Sequence, residues 1–186
     1  MTDHEQLVRL LAARSARRGN FTLASGRQSS LYIDARLTTM TPEGQRLIGR
    51  VGLAALREAA WRPDAIGGLT LGADPIAYAI CHSSADTDHP LKAFTVRKEP
   101  KAHGTGKQVE GPLASGDRVV IVEDVITTGG SAVRAIEAVK REGATPLGVL
   151  ALVDREEGGR EQIEKLGLRV YALTTASQIV PLIANP

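Results

Sequence analysis

The chain alternates short runs of branched aliphatic residues with stretches whose apolar positions recur every three or four residues. The runs Ala65 to Leu69, Leu91 to Val96, Arg118 to Val122, Pro146 to Val153 and Leu168 to Leu173 predict strands. Val119, Val120, Ile121 and Val122 are consecutive β-branched aliphatics, a pattern that predicts a strand covered on both faces. Between these runs, Pro75 to Ser84, Ser131 to Glu142 and Gly159 to Leu166 read as helices. Val133, Ile136 and Val139 line one face of the second, and Gly143 can close it. Upstream, Leu7, Leu10 and Leu11 mark an amphipathic helix that Gly19 is expected to end. Thr41 as cap and Pro42 at the first helical position open another, running towards Ala60. Strand and helix in alternation imply an α/β fold, with a mainly parallel five-stranded sheet flanked by helices.

Two segments depart from this rhythm. FTLASGRQSSLYIDARL is polar and turn-rich around a short strand at Leu31 to Ile33, so the first forty or so residues are expected to add a small hood outside the main sheet. RKEPKAHGTGKQVEGPLASGD has no helical period and carries Arg97, Lys98, Lys101, His103 and Lys107 against Glu99 and Glu110. Long connections of this kind are lids, binding loops or solvated hairpins, and the residues alone leave these open. Gly104 and Gly106 would permit the backbone changes a closing lid needs.

Composition narrows the setting. A length of 186 residues suits one well-buried domain, and no linker-like stretch argues for two. The net charge of +2 comes from 23 basic and 21 acidic residues interleaved along the chain, which gives no footprint for nucleic acid. The single cysteine, Cys81, excludes an internal disulfide and falls within a helix, where it reads as a small buried hydrophobe rather than a nucleophile. The first residues are charged throughout and no run approaches membrane-spanning length, so a soluble, cytoplasmic protein is expected.

The chemistry concentrates in VVIVEDVITTGGS, Val119 to Ser131. Two carboxylates, Glu123 and Asp124, end the apolar run, and a turn of small and hydroxylic residues leads into the next helix. In open α/β sheets that position is the ligand crevice. Small residues let the backbone approach an anion, helix-entry amides point towards it, and Thr127, Thr128 and Ser131 add hydroxyl donors. This describes a pocket for one phosphate group; it is not a Walker A loop, because no GxxxxGK[ST] pattern is present. Carboxylates beside a phosphate suit the hydroxyls of an attached ribose, which donate strong hydrogen bonds to them. A capping Asp at a strand-to-helix turn would account for one acid but not for the whole group.

VVIVEDVITTGGS resembles the 5-phosphoribosyl 1-diphosphate (PRPP) signature of the type I phosphoribosyltransferases. FTLASGRQSSLYIDAR, RKEPKAHGTG and LVDREEGG are similar to segments of the orotate phosphoribosyltransferases within that family, so the likeness runs from Phe21 to Gly159. The resemblance implies the type I fold and Mg²⁺-dependent transfer of ribose 5-phosphate from PRPP to orotate, giving orotidine 5′-phosphate and pyrophosphate in the pyrimidine pathway. It implies that Glu123 and Asp124 hold the ribose hydroxyls while Val125, Ile126, Thr127, Thr128, Gly129, Gly130 and Ser131 wrap the 5′-phosphate. Arg155 would meet the orotate carboxylate, Thr127 would touch the base, and Tyr32 and Ile33 would lie over the ring. From the residues alone, Arg155 could equally pair with Glu156 or Glu157 at the surface, and Tyr32 and Ile33 could be ordinary strand packing.

Charge builds on the departing diphosphate, so cations in a water-poor site would stabilise the transition state. Lys101 with His103, together with Asp124, would carry the catalysis, and Arg97 and Lys98 would add charge to the diphosphate. The Mg²⁺ would be held mainly by diphosphate and ribose oxygens, with no dedicated protein ligands. The resemblance also implies a homodimer whose loop, residues 97–111, is shared across subunits. Two departures stand out: Ala24, and Leu71 with Gly72 in GGLTLGADP, occupy positions where many bacterial members carry Lys and a Tyr-Lys pair. Other phosphoribosyltransferases, or a PRPP-sensing regulator, would share the ribose phosphate site; only the hood and Arg155 argue for orotate, and no added helix-turn-helix argues for a regulator.

Overall fold

The fold is described from a computed structural model covering residues 1–22, 28–99 and 107–184. Helix α1 (Asp3–Arg14) starts on a reciprocal cap, in which Thr2 Oγ1 accepts from the Glu5 amide and the Glu5 carboxylate accepts from the Thr2 amide. It ends well before Gly19. Ser15, 1% exposed, pins the exit: its Oγ pairs with Thr38 Oγ1 at 2.7 Å and its carbonyl accepts from the Asp34 amide at 2.9 Å. The chain then forms an antiparallel ribbon, β1 (Ala16–Thr22) and β2 (Gln28–Ile33), which is the hood. A short helix, α2 (Arg36–Thr39), leads to α3 (Pro42–Glu58), whose Thr41 cap and Pro42 start are those the sequence predicts.

The main sheet draws on β3 (Ala65–Leu69), β4 (Lys92–Val96), β5 (Val109–Glu110), β6 (Arg118–Ile126), β7 (Thr145–Asp154) and β8 (Arg169–Thr175). Their spatial order is β5-β4-β3-β6-β7-β8, so the sheet has six strands, not five. The added strand, β5, lies in the segment expected to be loop and pairs antiparallel with β4 through Val96 with Val109 and Thr95 with Glu110. Two residues are too few to show an alternation, which is why the sequence hides it. All other pairs are parallel. Helices α4 (Ala73–Ser83), α5 (Gly130–Arg141) and α6 (Gly159–Glu164) form the crossovers, and α7 (Ala176–Ile179) follows β8.

The four aliphatics of β6 divide by parity. Val120 and Val122 pack with α1, α3 and α4, whereas Val119 and Ile121 pack with α5 and α6. Fully burying such a side chain contributes roughly 1.5–3 kcal/mol, so both faces of this strand are anchored. Cys81 is half-buried in α4, its Sγ donating to the Leu91 carbonyl at 3.0 Å. Among the described residues, no helix is long and apolar enough to cross a membrane.

From β3 the sheet grows one way to β4 and the other way to β6, β7 and β8. The order of winding therefore reverses between β3 and β6, and their carboxyl ends open a crevice.

Candidate active site

A cavity of about 350 Å³ occupies that crevice. Its wall combines the hood end (Tyr32 to Arg36), the turn after β3 (Leu69 to Gly72), Lys98, the β6 acids with Val125, and Ser131 and Arg134 of α5. Two larger hollows, of about 550 and 600 Å³, lie elsewhere. The first, beside α1, α3 and β8, holds charges already matched, Arg50 with Asp3 and Arg160 with Asp154; the second is an apolar groove around Trp61. Only the smallest of the three sits where strand ends, a helix start and buried acids converge.

Strand β6 is longer than its apolar run suggests. Glu123 aligns with Ala151, and Val125 and Ile126 with Val153 and Asp154, so the acids lie within the strand rather than beyond it. This fixes their direction more firmly than a loop would. Glu123 Oε2 is buried and, among the described residues, has no hydrogen-bond partner. Burial pushes the Glu123 carboxyl well above its usual range; the Asp124 charge and a hydrogen bond to Asp124 push the same way, and Arg134 opposes them. Asp124 is also raised by burial, but hydrogen bonds from the Val125 amide (2.9 Å) and from Glu123 pull it back. The two carboxyls act on each other, and burial is the chief cause of the upward shift at both.

The turn after β6 leads into α5 through Gly129, at φ +79°, where a Cβ would come within 2.7 Å of the Gly159 carbonyl. That glycine lets the phosphate-type turn sit against the turn after β7. The first turn of α5 has no side-chain cap, so its amides are left for a ligand or solvent. Ile126 has its side chain in the core at 1% exposure, and its carbonyl accepts from the Arg155 amide, so only its backbone faces the turn. Thr127 is half-buried and Thr128 exposed in the bend that follows the strand.

Arg155 is not at the surface. It is 7% exposed, and its Nη2 donates to Ser29 Oγ at 2.9 Å and the Leu31 carbonyl at 3.0 Å and pairs with Glu157 at 2.8 Å. The guanidinium thus ties the turn after β7 to the hood, and it does not line the described cavity. Tyr32 and Ile33 do, with Tyr32 braced against Phe21 at a ring separation of 5.3 Å. Lys98 reaches the cavity, whereas Arg97 is exposed and pairs with Glu110 across β4 and β5 at 3.0 Å. Lys101, His103 and Ala24 lie outside the described residues.

Comparison with known proteins decides the family. The phosphoribosyl transferase domain model matches residues 42–170. An orotate phosphoribosyltransferase of Aquifex aeolicus is 48% identical, with 97% of this chain and 99% of that relative aligned. The chain belongs to the orotate phosphoribosyltransferases. A relative of the same name from Rhodopirellula baltica is also 48% identical, over 93% of this chain and 92% of its own. A crystal structure of the Mycobacterium tuberculosis orotate phosphoribosyltransferase in complex with PRPP superposes with a TM-score of 0.80 at 37% identity, covering 96% of this chain and 99% of that one.

Four residues that line the cavity, Arg134, Asp34, Arg36 and Thr70, were not singled out from the sequence. Arg134 follows Ser131 by three positions, so helical spacing puts both on one face, a signal that could have found it. Asp34 and Arg36 form a two-pronged pair at 2.8 and 2.9 Å at the cavity rim. Thr70 gives no chemical signal of its own in the sequence.

Proposed function

We infer that this chain transfers ribose 5-phosphate from PRPP to orotate, within pyrimidine biosynthesis, in the cavity between β3 and β6. The observation that carries the reading is Glu123: it lines the cavity with a buried oxygen that no described residue satisfies. Such a group calls for an incoming donor, and a ribose hydroxyl is one. Asp124 takes the neighbouring hydroxyl, and the turn from Val125 to Ser131 takes the 5′-phosphate through amides and hydroxyls. The turn from Thr70 to Gly72, which offers no cationic side chain, meets the diphosphate with the Leu71 and Gly72 amides, since the Thr70 amide is bonded to the Val96 carbonyl.

In the reaction the anomeric carbon–oxygen bond breaks with its electron pair passing to pyrophosphate. The orotate ring nitrogen supplies the pair for the new bond, and its proton passes to the departing pyrophosphate. Lys98, Lys101 and His103 stabilise the charge that builds on the diphosphate, with Arg97 behind them. Tyr32 and Ile33 cover the ring and limit water. Arg155 meets the orotate carboxylate from the base of the hood, exchanging part of its contact with Glu157. A Mg²⁺ arriving with PRPP would neutralise diphosphate charge. Glu123 and Asp124 would be the carboxylates nearest to such an ion, and among the described residues no group of three or more His, Cys, Asp or Glu is arranged to hold a metal.

Pyrophosphate release from PRPP, assayed with orotate, uracil, adenine and guanine in turn, tests the reading: turnover should require orotate. Arg155→Ala should abolish orotate use while PRPP affinity stays within a few fold. Equal loss for both substrates would reject the assignment of Arg155.

We read the whole chain as one domain acting as a cytoplasmic homodimer. Leu71, on the cavity wall, and Tyr78 of α4 are 59% and 50% exposed, and Leu37 and Met40, just past Arg36, are 47% and 57% exposed, apolar side chains suited to a second copy. Mixing equal amounts of Lys101→Ala and Asp124→Ala chains should restore roughly a quarter of wild-type activity if the loop crosses between subunits. Verified exchange without recovery would mean that each loop serves its own chain.

A further inference from the structure

Asp74 opens α4 just beyond the turn after β3, and its carboxylate is engaged on both oxygens. Thr70 Oγ1 donates to Oδ2 at 2.6 Å, and Thr95 Oγ1 donates to Oδ1 at 2.8 Å. Thr70 lines the cavity; Thr95 belongs to β4 and pairs on its outer side with the Tyr78 hydroxyl at 2.8 Å. The Thr70 amide also donates to the Val96 carbonyl at 2.8 Å. The turn is therefore fastened to β4 twice, once through backbone and once through Asp74. Strand β4 is the element that leads to Lys98, the cation on the cavity wall.

We propose that Asp74 is a positioning residue for diphosphate binding, bracketing the Thr70–Gly72 turn and the end of β4 so that the turn amides and Lys98 meet the same diphosphate. This rests on the reading that the turn faces the diphosphate. Backbone amides stabilise a developing anion only when held in place beforehand, and Leu71 and Gly72 bring no charged side chain to compensate for a loose turn. A carboxylate aimed at a diphosphate would repel it. Here both oxygens are turned to hydroxyl donors, which spreads the charge and leaves the group as a brace.

The test compares Asp74→Ala, Asp74→Asn and Thr95→Val by steady-state kinetics for each substrate, calorimetric binding of pyrophosphate with Mg²⁺, and thermal midpoint. Asp74→Ala should raise the PRPP KM and the pyrophosphate Kd about tenfold while the orotate KM stays within about twofold. Thr95→Val should repeat that pattern at smaller size. Asp74→Asn keeps an acceptor for Thr95 and offers its amide to Thr70 Oγ1, so it should bring both constants back to within about threefold of wild type. Unchanged pyrophosphate binding in Asp74→Ala alongside a lowered thermal midpoint would overturn the proposal in favour of a purely structural role. An Asn variant as impaired as Ala, with a raised Mg²⁺ requirement, would overturn it in favour of a metal ligand. If wild type itself fails to release pyrophosphate from PRPP with orotate, the underlying reading falls, a result distinct from both.

Discussion

The turns that follow β3 and β6 flank the same crevice and work in opposite ways. The β6 end presents side chains: two acids, three hydroxyls and a helix entry. The β3 end presents backbone, with Leu71 turned outward at 59% exposure and Gly72 packed against Asp124. A Cβ at Gly72 would fall 2.5 Å from Asp124 Cγ and Oδ1. One turn supplies chemistry and the other supplies shape, and they meet at that contact. The difference teaches that a chemically bare turn can still be tightly specified, through what its neighbours require of it.

Removing chemistry from the β6 side should give the largest effect. Asp124→Asn keeps the volume and loses a charge-assisted acceptor, a cost of roughly 1.5–3 kcal/mol, or about ten- to a hundredfold in PRPP affinity. Calorimetry should show that loss for PRPP and for orotidine 5′-phosphate, with pyrophosphate alone little changed. PRPP affinity equal to wild type would remove the ribose assignment.

Adding volume on the β3 side should come next. Gly72→Ala forces the new methyl group against the Asp124 carboxylate, and overpacking of this kind costs about 1–3 kcal/mol. The kcat/KM for PRPP should fall roughly tenfold. Because the clash needs the carboxylate, the same substitution placed in an Asp124→Ala chain should add almost nothing. A second full loss in that background would mean that Gly72 matters for the turn itself and not for its contact with Asp124.

The same contrast explains what could be read from the sequence. The strands from Ala65 and Arg118, the Thr41–Pro42 helix start and the acid pair are legible because apolar period, capping and charge are properties of neighbouring residues. Strand β5 is not, since Val109 and Glu110 owe their conformation to β4. Nor is the early end of α1, set by Ser15 meeting Thr38 and Asp34. Arg155 was legible as a cation of interest but not as a buried clamp, because Ser29 and Leu31 lie more than a hundred positions away. Asp74 reads as a free carboxylate in sequence; only the approach of Thr70 and Thr95 from two strands shows that its oxygens are engaged.

The smallest effect should be thermodynamic and confined to the β6 acids. In the unliganded chain the Glu123 carboxyl is held well above its usual range, chiefly by burial and then by the Asp124 charge. Its folded-state pKa therefore lies above its unfolded value, so the folded chain binds the extra proton over the interval between the two. The stability linked to that proton is complete below the ordinary glutamate range and is lost as pH rises towards the folded value. Each pH unit inside the interval removes up to about 1.4 kcal/mol. Glu123→Gln carries no such proton and should escape the loss. Its thermal midpoint relative to wild type should therefore climb as pH is raised from about 5 to 8, by up to about 3–6 °C per unit within the interval for a chain of this size. No comparable trend should attend Gly72→Ala, which alters shape without altering a proton. A midpoint difference between Glu123→Gln and wild type that stays flat across this range would mean that burial does not raise Glu123 in the folded chain.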